Sequence, residues 1–161
     1  MAGHKNDKFK LMQNNMTQNT TDAIYIQEFV IPESALDQNG HVNNVVFVQW
    51  MQDVAILHSE STGGNQATNS IGATWFVRSH NIEYLTPAFA GDHLILQTWV
   101  VDFRRATSLR RYRFIRKKDQ KLLAKGETEW VFVDMKSGRP RTIPPEVQVT
   151  FPLIGKDDEP L

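Results

Sequence analysis

Asp37-Gln38-Asn39-Gly40-His41-Val42-Asn43-Asn44 crowds a carboxylate, an imidazole and several carboxamides into eight consecutive positions. The strongest helix signal in the chain begins directly after it. A turn can aim side chains, and a helix start offers unpaired N–H groups with partial positive charge. A carboxylate can deprotonate a water or attack a carbonyl carbon, and positioned acid–base catalysis is typically worth about 10²–10⁴-fold. Backbone N–H groups can stabilise the negative charge that builds on the carbonyl oxygen, and losing one such donor costs about 10²–10³-fold. Those are the requirements for hydrolysing an activated acyl group. Taken alone, Asp37 to Gly40 also describes an ordinary turn, and Asn43 an ordinary helix cap.

The elements that must position these residues follow from the apolar pattern. Residues 23–31 carry Ile24, Ile26, Phe29 and Ile31 and read as a strand closed by Pro32. From residue 44 to about 60, Phe47, Trp50, Met51, Val54 and Leu57 share one helix face. Val45, Val46, Val48 and Ile56 widen that face, so the helix should be buried on most sides. Gly63-Gly64 is its stop signal. Everything after it reads as strand: residues 74–85, 93–103, 108–116 and 122–134, with turns at Asp119-Gln120 and Ser137-Gly138. In the 93–103 strand both faces are apolar, as expected for a sheet covered on one side and partly on the other. Ala124 and Gly126 fall on the inner face, where small residues let a helix approach. One strand, one long helix and then four or five antiparallel strands pack economically as an α+β domain, a curved sheet around one helix.

A length of 161 residues suggests one domain. Residues 1–22 are polar and unpatterned and read as a flexible tail, residues 23–154 as the domain, and 155–161 as a second short tail. The chain has no cysteine, which excludes disulfides, thiolate metal sites and a Cys nucleophile and fits a cytoplasmic setting. Its 18 basic and 18 acidic residues balance, which argues against a nucleic-acid partner. No window approaches the ~20 apolar residues of a membrane span. The five His do not form a ligand spacing, so no metal is implied. Arg104-Arg105 and Arg110-Arg111 read as solvated strand or turn charges, and His58 as a partner of the helix C-terminal dipole. Asp53 reads as helix surface, and Trp75, Tyr84 and Trp130 as core or interface.

The run Asp37-x-Asn39-x-His41-Val42-Asn43-Asn44, followed by Phe47 and Trp50, resembles the signature of hotdog-fold thioesterases. Two further stretches continue the resemblance in order. One is Arg78 with Ile82-Glu83-Tyr84-Leu85-x-Pro87-Ala88 and Gly91-Asp92. The other is Trp130-Val131-Phe132-Val133-Asp134 with Gly138-Arg139-Pro140 and Ile143-Pro144. The resemblance implies a single hotdog fold and a thioester hydrolase acting on an acyl-CoA or acyl-ACP, as in fatty acid metabolism. It implies Asp37 as nucleophile or general base, Gly40 as the turn glycine and the Asn44 N–H, with Asn43 beside it, as the oxyanion site. In the acyl-ACP branch the matching catalytic set is Asp37, Asn39 and His41. That branch adds a Glu or Cys after the downstream Glu-Tyr, whereas Leu85-Thr86-Pro87-Ala88 follows Glu83-Tyr84 here, which favours the acyl-CoA type. CoA would be part of the substrate, with no separate cofactor. Its phosphates prefer Arg; Arg78, Arg104 and Arg105 are the candidates, with Arg110-Arg111 as further ones. A hotdog enoyl-CoA hydratase or dehydratase, with motif D-x-N-P-x-H, and a non-catalytic acyl-CoA-binding module are the alternatives. Exposed sheet edges predict a homodimer or homotetramer.

Overall fold

A computed structural model describes residues 17–21 and 23–160 of the chain. Six antiparallel strands form one sheet in the order β1-β2-β4-β5-β6-β3. They are β1 (Thr17–Thr21), β2 (Ile24–Val30), β3 (Ala73–Tyr84), β4 (His93–Phe103), β5 (Thr107–Arg116) and β6 (Lys121–Asp134). Helix α1 (Asn44–Thr62) lies between β2 and β3 in the chain and is followed by α2 (Gly64–Ser70) and, near the end, α3 (Pro145–Gln148). The sheet wraps α1, which is the hotdog arrangement.

Alternation along the strands sends one face to the helix. Phe29, Leu94, Leu96, Tyr112, Phe114 and Ala124 meet Phe47, Trp50, Met51 and Val54 of α1 in one buried cluster. Fully burying each large apolar side chain stabilises by roughly 1.5–3 kcal/mol. Gly126 is what lets Met51 in: a Cβ there would sit 3.0 Å from the Met51 Cε and 3.3 Å from the Asn81 carbonyl oxygen. The helix is less enclosed than its composition suggests, because Val45 is 72% and Ile56 43% exposed. The outer face of β4 is covered by the chain end: Trp99 and Val101 pack with Ile154. That accounts for a strand apolar on both faces.

Three segments differ from the sequence reading. α2 occupies a stretch read as non-helical, since Gly-Asn-Gln-Ala-Thr-Asn-Ser has mostly weak helix formers and no apolar stripe. Tertiary contacts hold it: Thr68 is buried and its hydroxyl accepts from the Trp75 Nε1, and Gly64 lies against the Phe151 ring. Part of the segment read as an N-terminal tail enters the sheet, with residues 17–21 paired to β2. Edge pairing needs only backbone groups, so no apolar pattern announces it; residues 1–16 and 22 lie outside the described residues. Residues 155–160 fold back on β5, where Glu159 pairs with Arg111 and the Pro160 carbonyl accepts from Arg113 at 2.8 Å. The acidic end meets the outward arginines of that strand.

Candidate active site

After β2 a single 3₁₀ turn, Glu33–Ala35, leads into the polar loop. Leu36 and Val42 form an antiparallel bridge across it, so residues 37–41 make a small closed turn. The Asp37 N–H donates to the His41 carbonyl at 2.7 Å, and the Gly40 N–H to the Asp37 carbonyl at 3.1 Å. Gly40 has φ +76°, a left-handed conformation that side chains with a Cβ disfavour. Asp37 Oδ1 accepts the backbone N–H of Asn39 at 2.8 Å and of His41 at 3.3 Å. The carboxylate is thereby fixed through one oxygen, and Oδ2 carries no hydrogen bond among the described residues. The turn is tied to its surroundings by Val42 N–H to the Ala88 carbonyl and Asn43 N–H to the Ala35 carbonyl, each 2.9 Å.

α1 begins directly after this turn. The Asn43 side chain accepts the Val45 N–H at 3.0 Å, a cap typically worth about 1 kcal/mol. The Asn44 N–H is the first of the helix and has no intrahelical acceptor. Tyr84, at the end of β3, donates its hydroxyl to the Asn44 carbonyl at 2.8 Å and sets its ring against Phe47. Burial raises the Tyr84 hydroxyl pKa, so it remains a donor at neutral pH. Nothing in the spacing of residues 44 and 84 announces that link.

The loop brings Asp37, Asn39, Gly40, His41, Asn43 and Asn44 together in front of the helix. Asp37 is half-buried, and Asn39 and His41 are exposed. Asn39 and His41 bond Asp37 through backbone N–H groups. The His41 imidazole lies edge-on to Phe89, ring centroids 5.2 Å apart, and does not form a side-chain pair with the carboxylate. On α1, the half-buried Asp53 accepts from Gln49 at 2.8 Å, and burial raises its carboxyl pKa.

The arginine candidates do not join this cluster within one chain. Arg104 pairs with Glu129 at 3.0 Å and Arg78 approaches the same carboxylate at 4.0 Å. Arg105 is exposed, and its carbonyl accepts the Ile143 N–H. Arg104 and Arg105 sit in the β4–β5 turn, towards the C-terminal end of a helix whose 19 residues span ~28 Å.

Arg110, read as a solvated charge, and His58, read as a partner of the helix C-terminal dipole, are both buried. Arg110 is 5% and His58 3% exposed, with Arg110 Nη1 donating to His58 Nδ1 at 2.8 Å and to Thr98 Oγ1 at 3.2 Å. Arg110 shares the inward phase of Ser108, Tyr112 and Phe114 on β5. His58 shares the face of Met51, Val54 and Ala55, which outweighs its nearness to the helix end. Burial, with the adjacent guanidinium second, lowers the His58 pKa from 6.5 to about 3. Arg110 lines a cavity of about 460 Å³ between the second half of α1, α2 and β3. A second cavity, about 440 Å³, lies against β5, β6 and the C-terminal segment. Neither is lined by Asp37, Asn39, His41 or Asn44. Among the described residues no group of His, Asp and Glu is arranged to hold a metal ion, and no helix is long and apolar enough to cross a membrane.

A sequence model of the thioesterase-like superfamily matches residues 31–151, which includes the whole loop, α1 and β3 to β6. No curated protein matches the sequence. Several solved structures share the fold. A 1,4-dihydroxy-2-naphthoyl-CoA thioesterase from Synechocystis aligns at TM-score 0.71 and 19% identity, over 79% of this chain and 94% of that one. YbaW, a probable thioesterase from Escherichia coli, aligns at 0.72 and 17%, over 78% and 94%. A Staphylococcus aureus protein solved in complex with CoA aligns at 0.72 and 14%, over 84% and 91%.

Proposed function

We propose that this chain, which belongs to the thioesterase-like superfamily, is an acyl-CoA thioesterase that uses Asp37 and the start of α1. The observation that carries the reading is the clamp on Asp37. Two backbone N–H groups hold Oδ1, which leaves Oδ2 aimed by the turn and unengaged directly before a capped helix. As general base, Oδ2 takes a proton from a water whose oxygen attacks the thioester carbon. The oxyanion accepts the Asn44 N–H, and collapse expels CoA thiolate, which is then protonated, leaving the free acid. As nucleophile, Oδ2 attacks the same carbon and expels CoA thiolate, and water then cleaves the resulting anhydride to the free acid and the Asp37 carboxylate. Both routes use the same two groups. His41 and Asn39 help to orient the water or the thioester from the open side of the loop.

The second copy in a homodimer fits the placement of the arginines. β3 ends the sheet as an open edge, and Phe76 on it is 55% exposed, a liability in a monomer. Antiparallel pairing of two β3 edges about a two-fold axis sets the Ala73 end of one against the Tyr84 end of the other. That would carry Arg78 and Arg104 of one copy towards the other's helix start, as CoA phosphate binding would require. Sedimentation velocity tests it: the protein should run as a dimer or tetramer, and Phe76→Glu should shift it to monomer and lower activity.

The decisive assay is thiol release from acyl-CoA. Asp37→Asn retains the Oδ1 acceptor, so the turn should persist, while kcat falls by about 10²-fold or more. Turnover equal to wild type would sink the assignment. Crotonyl-CoA separates the hydratase alternative, which would consume enoyl absorbance without releasing thiol.

A further inference from the structure

We propose that the cavity between α1, α2 and β3 binds an apolar ligand by a terminal carboxylate, held on the Arg110 guanidinium. Arg110 is the one charged residue among those that line it. The walls include Ile56, Trp75, Phe76 and Phe151, and the volume of about 460 Å³ falls in the range of small-molecule sites, roughly 300–1,000 Å³. A guanidinium keeps its charge in a protein, and burying that charge is costly unless it is paired. Arg110 has no acidic partner: none of the ion pairs among the described residues includes it. Its neighbours are neutral: the Thr98 hydroxyl, the His58 ring and the face of Phe151, 5.6 Å from the guanidinium carbon. Arg can only donate, so His58 Nδ1 must be the acceptor, and the imidazole is held neutral.

Both hydrogen bonds leave from Nη1. Nε and Nη2 have no acceptor among the described residues, so a fork suited to a carboxylate remains. A buried, uncompensated cation in a largely apolar pocket lined by no acid calls for an anion on an apolar body. The cavity-lining positions Gln52 and Ser59 lie eight and fifteen residues along α1 from Asn44, or ~12 and ~22 Å. The carboxylate would thus sit far from the Asn44 N–H of its own chain. Two sources share this chemistry: a free fatty acid, or the distal carboxylate of a dicarboxylic acyl chain. The second rests on the proposed thioesterase activity.

The test uses the purified full-length protein. Calorimetry compares decanoate with decanol, and thiol release compares decanedioyl-CoA with decanoyl-CoA, in wild type, Arg110→Met and Ser59→Trp. Wild type should bind decanoate at least about 10-fold more tightly than decanol, as expected for hydrogen bonds to a charged group. Arg110→Met should abolish that preference, and Ser59→Trp, which fills the cavity from a half-exposed helix position, should weaken both ligands. A preference for decanedioyl-CoA that Arg110→Met removes identifies the acyl chain as the source; carboxylate binding without it identifies the free acid. Equal binding of decanoate and decanol by wild type, or decanoate affinity untouched by Ser59→Trp, overturns the proposal. Both readouts hold if Arg110→Met does not fold. Absence of any thiol release would refute the thioesterase reading while leaving the calorimetric outcome to decide this one.

Discussion

Acid should destabilise this protein through His58 in particular. Its ring is stacked on Tyr25 with centroids 5.3 Å apart, edge-on to Phe151, and accepts a hydrogen bond from Arg110 at 2.8 Å. Protonation would remove that acceptor and set a second positive charge against a buried guanidinium. Burial first, and the adjacent guanidinium second, lower the folded-state pKa from 6.5 to about 3. A histidine whose pKa is depressed by folding contributes stability that is fully present above its unfolded value and is lost as pH falls through the window down to the folded value. Each unit is worth about 1.4 kcal/mol, so the loss from pH 7 to pH 4 is about 3 kcal/mol, a large share of a typical 5–15 kcal/mol stability. His58→Gln keeps a neutral acceptor for Arg110 and cannot titrate in this range. Urea unfolding followed by tryptophan fluorescence at pH 7 and pH 4 isolates the effect of His58, since every other ionisable group is common to both proteins. Wild type should lose about 3 kcal/mol more than His58→Gln across that interval. Parallel losses in the two proteins would show that His58 is not held neutral by its surroundings.

Two further substitutions probe the contacts that place α1. Gly126→Val drives a branched side chain onto Met51 Cε and the Asn81 carbonyl; overpacking of this kind costs about 1–3 kcal/mol, so Tm should fall by about 3–10 °C in a scanning calorimeter. An unchanged Tm would mean that the sheet and α1 can separate freely at this point. Tyr84→Phe removes the hydrogen bond to the Asn44 carbonyl and should cost about 1 kcal/mol in urea unfolding. It should also lower kcat for thiol release more than it changes KM, because the bond fixes the peptide next to the oxyanion donor. If both parameters stay at wild-type values, Tyr84 has no part in positioning the helix start.

The frame of this domain is legible in its sequence because it rests on burial periodicity. Phe47, Trp50, Met51 and Val54 mark α1, and the strands run within a residue or two of their apolar alternation. α2 is not legible, since most of its residues are weak helix formers and contacts with distant residues such as Trp75 and Phe151 hold it there. The docked C-terminus is equally silent: acidic residues near a chain end look solvated until Arg111 and Arg113 of β5 are seen beside them. The polar loop was visible as a cluster, but its wiring was not. Residue types and spacing do not show that the bond to Asp37 runs from the His41 backbone while the imidazole turns to Phe89.

Arg110 shows why residue type and residue phase must be weighed together. Its charge argues for solvent, yet its position two residues before Tyr112 and four before Phe114 argues for the helix-facing side of β5. Phase won, because a strand cannot turn one side chain outward without shifting all the others to the wrong face. The cost of that choice is a cation held among neutral partners. Apolar residues of similar volume would fill such a position at least as stably. An arginine retained there, against a cavity and short of acceptors, is better explained by what enters the cavity than by the stability of the fold.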